Sequence, residues 1–254
     1  MSPAQIVILC TFIAIFILAV PLLILPAMRC GPGGSIRVTF FWQGFRLLLG
    51  IVHRARYFGL EHVPQTNADV PLVVVSNHTG GIDPLLIQCG VRFKIHWLMA
   101  ADYMAGPLGW FWRLLEIIPV ERTGRDTGPA REAIRRVREG KAVGVFPEGG
   151  IVRPPGEIRA FIPGAGLIVA RTGAPVLLVW IHGTPEAETT FGSLFRSSNA
   201  RVHFLGLFDF HGETDARVIS DTLRRKIAEA SGWPLNDTPV ATARKNANAE
   251  HALP

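Results

Sequence analysis

Six short runs constrain the fold most: PLVVVS (71–76), KIHWLM (94–99), EIIPV (116–120), AVGVF (142–146), PVLLVWI (175–181) and RVHFLGLF (201–208). Most are apolar almost without alternation and rich in β-branched residues, the pattern of strands covered on both faces. Helical segments lie between them. The clearest covers 129–139, with Asp126 or Thr127 as cap, Pro129 at its start, Ala130, Ile134 and Val137 on one face, and Gly140 after its end. Others are expected at 164–172 and at about 214–230. Strands joined by crossover helices predict an α/β fold, with a mostly parallel central sheet flanked by helices. A chain of 254 residues accommodates one such domain and an appendage.

The appendage is N-terminal. Residues 6–25 contain no charge, and about 20 helical residues reach across a hydrocarbon core of about 30 Å. This predicts a single membrane anchor. A cleaved secretory signal is the rival reading, but no Lys or Arg precedes the run, and Arg29 before Cys30 spoils a lipoprotein-type cleavage site. The positive residues follow the run, at Arg29, Arg37, Arg46, Arg54 and Arg56, which leaves the body on the cytoplasmic face. Next, VTFFWQGFRLLLGIV (38–52) is interrupted by Gln43, Gly44 and Arg46. It reads as a helical arm lying in the membrane interface, with a core helix as the alternative. The expected division is therefore 1–55 anchor and interfacial helix, 56–233 catalytic body, and 234–254 a mobile tail. A net charge of +6 with 48% hydrophobic residues fits a phospholipid membrane as partner.

One stretch carries the chemistry: VSNHTGGIDPLL, from Val75 to Leu86. A strand ends at Ser76 and a helix begins near Pro84, so His78 and Asp83 flank a loop at the carboxyl edge of the sheet, where sites in α/β folds gather. Five residue steps would separate the two by about 16 Å if extended; positive φ at Gly80 and Gly81 is expected to fold the chain back. A carboxylate on one ring nitrogen then fixes the tautomer and leaves the other free to take a proton. Plainer roles exist for each residue: Asp83 with Pro84 is also a good helix cap, and Asn77 or His78 can close a turn. Further on, VGVFPEGG brings Glu148 to the end of another strand, where a carboxylate is hydrogen-bonded or faces a cleft. IIPVERTGR similarly delivers Arg122, suited either to a phosphate or to an ion pair with Glu121 or Glu148.

Other chemistries lack their residues. There is no phosphate-binding loop of either common glycine pattern, and His53, His62, His96, His182, His203, His211 and His251 form no metal-ligand spacing. Cys10, Cys30 and Cys89 imply neither a disulfide framework nor a metal site. Ser76 lies in no nucleophile elbow, and Cys89 is expected inside a helix. The basic residues Arg131, Arg135, Arg136, Arg138 and Lys141 share one helix without interleaved aromatics, so they indicate a solvated face, or one turned to anionic lipid or an acidic carrier protein, and no nucleic acid.

In order along the chain, NHTGGID, IPVER, FPEGG with the following FIPGA, and APVLLV resemble the four blocks of the lysophospholipid acyltransferase family, typified by bacterial 1-acylglycerol-3-phosphate acyltransferase. The resemblance covers about residues 55–210. It implies a glycerolipid O-acyltransferase with no cofactor beyond acyl-CoA or acyl-carrier protein as co-substrate. By the resemblance His78 is the general base and Asp83 its orienting partner, Arg122 contacts the acceptor phosphate, and Glu148 and Gly149 shape the acceptor site. Pro175 matches the start of the donor-side block. Asn77, Gly150 and Arg153 complete the expected acceptor-binding set, and the amides of Gly80 and Gly81 are expected to stabilise an oxyanion. Three positions depart from the pattern: Gly150 stands where Ser or Thr is usual, Ile162 where a basic residue is usual, and Leu178 where a second proline is common. Arg153 or Arg159 would then supply the missing charge. A lysophosphatidate is the expected acceptor, with another lysolipid, an aminolipid or a glycolipid as alternatives, and non-catalytic binding of anionic lipid as the remaining one.

Overall fold

A computed structural model describes residues 31–104, 109–121, 127–187 and 192–240. Its strands are β1 (Arg56–Phe58), β2 (Leu72–Ser76), β3 (Ile95–Ala100), β4 (Ile118–Val120), β5 (Ala142–Val145), β6 (Ile158–Arg159), β7 (Val176–His182), β8 (Arg201–Phe208) and β9 (Leu235–Asn236). Seven form one sheet in the order β1-β8-β7-β2-β5-β3-β4, and β6 pairs with β9 in a second. All neighbours in the large sheet are parallel except β7 and β8. All six expected strands are present. The three missed, β1, β6 and β9, are only two or three residues long, too short for any hydrophobic period; their partners define them.

The helices are α1 (Ile36–Val52), α2 (Asp83–Gly90), α3 (Gly109–Leu114), α4 (Gly128–Arg138), α5 (Gly164–Thr172) and α6 (Ala216–Ser231). The central strands explain the layering. In β2, Leu72 and Val74 belong to the core beneath α1 and α2, whereas Val73 and Val75 belong to the core beneath α4, α5 and α6. All four are at most 1% exposed, and each contributes about 1.5–3 kcal/mol of burial. That double covering is why β2 reads as unbroken apolar sequence.

Two expected boundaries fall inside the packed unit. α1 buries Val38, Trp42 and Leu49, and the Trp42 indole donates to Gln88 O at 3.0 Å, so one face of the expected interfacial helix is a core face. Its other face exposes Ile36, Phe40, Leu47 and Ile51. At the other end, β9 pairs with β6, and Arg224 donates to Asp237 at 2.7 Å, so the expected mobile tail contributes its first residues to the body. Among the described residues no helix is long and apolar enough to cross a membrane. The expected anchor at 6–25 lies outside the described residues.

Candidate active site

β2 empties at its carboxyl end into Asn77-His78-Thr79-Gly80, and the chain turns straight into α2. The His78 Nδ1 lies 2.9 Å from Asp83 Oδ2. The same oxygen accepts from the backbone N–H groups of Thr79 at 2.7 Å and Gly80 at 2.8 Å. An ionised carboxylate is acceptor-only, so Nδ1 carries the proton and Nε2 is the basic nitrogen. Asp83 is fully buried while the His78 side chain keeps 16% of its surface exposed.

The loop closes differently from the sequence expectation. Neither Gly80 nor Gly81 is among the positive-φ glycines. Glycine at 80 is needed for close approach: an added Cβ would lie 2.8 Å from Thr184 Oγ1 and 3.0 Å from its Cβ. The capping role for Asp83 also gives way, because Ile82 is the N-cap and the carboxylate turns back into the preceding loop. The Gly80 amide is thereby occupied and does not face an oxyanion; the expectation placed on it is corrected.

Glu148 ends the chain segment after β5 and is 2% exposed. Its Oε2 accepts from His78 N at 2.7 Å and its Oε1 from Arg159 N at 3.0 Å. This carboxylate therefore ties the His78 loop to β6. Burial pushes its pKa up to about 8, against the two amide donors that favour the anion. Val152 N donates to His78 O at 2.8 Å, which fixes the loop carrying exposed Arg153 to the His78 backbone. Gly149, at φ +74°, turns the chain here, and Ile162, 55% exposed, packs where its Cβ would be. Gly150 lies half-buried in the same corner.

Asn77 goes elsewhere. Its amide both donates to and accepts from the backbone of Ile181, each at 2.9 Å, so it clamps β2 to β7 and is 1% exposed. Arg159 ion-pairs with Glu157. Arg122 lies outside the described residues. The charges of α4 are largely taken up locally, Arg135 and Arg136 by Glu132, in keeping with a solvated face. Cys89 is buried, with its thiol pushed up to about 12 by that burial, so Cys89 is no thiolate nucleophile.

Sequence reasoning missed the aromatic support. His78 stacks on Phe146 at 4.2 Å, and Phe146 on Trp97 at 5.0 Å. Gly144 makes room: a Cβ there would sit 2.3 Å from the Trp97 ring. The phenylalanine before Pro-Glu-Gly-Gly was visible, but its stacking depends on cross-strand register. Among the described residues no group of three His, Cys, Asp or Glu side chains is placed to hold a metal.

A family model described as Acyltransferase matches residues 54–182. The chloroplastic 1-acyl-sn-glycerol-3-phosphate acyltransferase of Brassica napus is 29% identical over 177 residues, 68% of this chain and 49% of that protein. A 1-acyl-sn-glycerol-3-phosphate acyltransferase of Borreliella burgdorferi is 24% identical over 76% of each chain. The chain spans about half the length of the plant relatives it matches. The fold is shared with the crystal structure of the 1-acyl-sn-glycerophosphate (LPA) acyltransferase PlsC from Thermotoga maritima, at TM-score 0.60 and 23% identity, covering 87% of this chain and 92% of that one. The matched span contains the imidazole, its carboxylate partner and the Pro-Glu-Gly-Gly corner, and the chain belongs to the acyltransferase family.

Proposed function

We propose that this chain is a membrane-associated glycerolipid O-acyltransferase. It moves a fatty acyl group from the thioester of acyl-CoA or acyl-carrier protein to the hydroxyl of a lysophospholipid, with 1-acylglycerol-3-phosphate the first choice of acceptor. One observation carries the reading: the 2.9 Å contact of His78 Nδ1 with buried Asp83, at the open carboxyl edge of the sheet. His78 Nε2 takes the hydroxyl proton as the oxygen attacks the thioester carbonyl, and Asp83 stabilises the imidazolium. The tetrahedral adduct collapses, the C–S bond breaks, and the departing thiolate takes the proton from His78. No acyl-enzyme forms.

The relatives' names support the acceptor class. The exposed apolar face of α1, with Trp110 of α3 beside Phe41 at 5.9 Å, supports contact with a phospholipid surface, as does the expected cytoplasm-facing anchor. Exposed Ile162 at the corner supports inclusion of aminolipid and glycolipid acceptors in the test. Purified protein is incubated with labelled acyl-CoA or acyl-carrier protein and a panel of lysolipids. Product from the native protein and none from His78→Ala is expected; turnover of the variant within tenfold of native removes His78 from the base role.

A further inference from the structure

β2 and β7 leave the sheet side by side. They run parallel with Ser76 opposite Val179, and the Asn77 amide grips the Ile181 backbone, so the His78 loop and the segment after β7 start from a fixed register. Beyond His182 the chain turns at Gly183, whose φ is +69° and where an added Cβ would meet Asn199 O at 2.3 Å. The next residue is Thr184, and its Oγ1 lies 2.9 Å from Thr79 Oγ1. Thr79 is 3% exposed, and its amide is one of the two that hold Asp83 Oδ2. The other belongs to Gly80. The point where a Cβ at position 80 would stand is bordered by two oxygens, Thr184 Oγ1 at 2.8 Å and Asp83 Oδ1 at 3.3 Å. Asp83 Oδ1 is buried and accepts no hydrogen bond among the described residues, whereas Oδ2 accepts three.

We propose that Thr184 is a positioning residue for the His78–Asp83 pair: from the end of β7 its hydroxyl holds Thr79 and Gly80, and through their amides it holds the carboxylate against the imidazole. A hydroxyl has one proton to donate and two lone pairs. In the Thr79–Thr184 pair one proton makes the bond and the other stays free. When Thr79 is the donor, the free proton belongs to Thr184 and turns toward Asp83 Oδ1, the carboxylate oxygen left without a donor among the described residues. A buried anionic oxygen without a donor is costly, so the field of the carboxylate selects this order of donation, with the hydroxyl dipole facing the charge. Glycine at position 80 leaves the hydroxyl its room. Thr184 acts through Thr79 and Asp83 and touches no reacting atom.

The effect on rate rests on the acyltransfer reading, so one readout is independent of turnover. Thr184→Val keeps the shape of the side chain and removes the hydroxyl, Thr184→Ser keeps the hydroxyl, and Thr79→Val removes the same bond from its other end and carries the test if Thr184→Val does not fold. Each full-length variant is assayed for kcat and for both KM values, melted to verify folding, and followed by proton NMR at the His78 Nδ1–H resonance, which is identified by its loss in His78→Ala. Thr184→Val and Thr79→Val are expected to lower kcat about tenfold, the rate equivalent of one hydrogen bond, to leave each KM within about twofold of native, and to shift the resonance. Thr184→Ser is expected to recover most of the rate and to keep the native resonance. Native kcat in folded Thr184→Val overturns the proposal. So does a Thr184→Ser variant as slow as Thr184→Val, which assigns the effect to packing of the methyl, and so does a raised KM at native kcat, which makes Thr184 a substrate contact. A resonance that shifts in Thr184→Val and stays in Thr184→Ser, with no transfer by the native chain across the lysolipid panel, upholds the positioning role while sinking the acyltransferase reading.

Discussion

Asp83→Asn tests the mechanism most sharply, because the structure decides what the substitution removes. Two backbone amides, at 2.7 and 2.8 Å from Oδ2, hold the asparagine oxygen in place, so the imidazole retains its tautomer. What disappears is the negative charge facing the imidazolium. Unit charges about 4 Å apart at an effective dielectric of about 20 interact by about 4 kcal/mol, and that is roughly a thousandfold in kcat. Stability changes less. Two charge-assisted bonds become neutral ones, at about 1 kcal/mol each, while desolvation of a buried carboxylate is relieved. A net loss of about 1 kcal/mol lowers Tm by about 2–4 °C. The assay is kcat at saturating thioester and lysolipid, with a thermal melt of the same preparation. A melt lowered by several degrees with kcat within tenfold of native refutes the reasoning and reduces Asp83 to a loop-closing residue.

Glu148 carries the pH dependence: its folded pKa is raised to about 8 from an unfolded value of about 4.3. Its contribution is fully present below that unfolded value and is lost as pH rises toward 8, so Tm should fall between pH 5 and 9, and Glu148→Gln should flatten that slope. An unchanged slope in the variant assigns the effect elsewhere. Gly144→Ala places a methyl 2.3 Å from the Trp97 ring; a loss of about 1–3 kcal/mol and a lower kcat are expected, because the ring under Phe146 and His78 must move. Native kcat in the folded variant would show that the stack does not position the base. Arg122→Ala is expected to raise the acceptor's KM more than the donor's, and a change confined to the donor contradicts its assignment.

Much of the fold was legible because its strands are buried on both faces. Val73, Val74 and Val75 tell the reader of the sequence that something covers each side, and the caps and glycines between the runs place the helices. β1, β6 and β9 were illegible for the complementary reason: two or three residues carry no period. The site was partly legible. His78 and Asp83 were found by spacing, but the reason for Gly80 was misread, since its constraint is the approach of Thr184, 104 positions away in the chain. The backbone hydrogen bonds of Asn77 to Ile181, and of Glu148 to His78 and Arg159, were not legible, because their partners come from other strands and loops.

The sequence by itself determined the layered α/β architecture and the presence of an acid five residues after a histidine at a strand end, because hydrophobic period and local turn chemistry are properties of neighbouring residues. Only the tertiary structure decided which ring lies beneath the imidazole, which backbone Asn77 clamps, and which residue closes on Gly80. Those facts depend on strand order and register, which bring together residues 68 to 104 positions apart and leave no mark on the sequence around either.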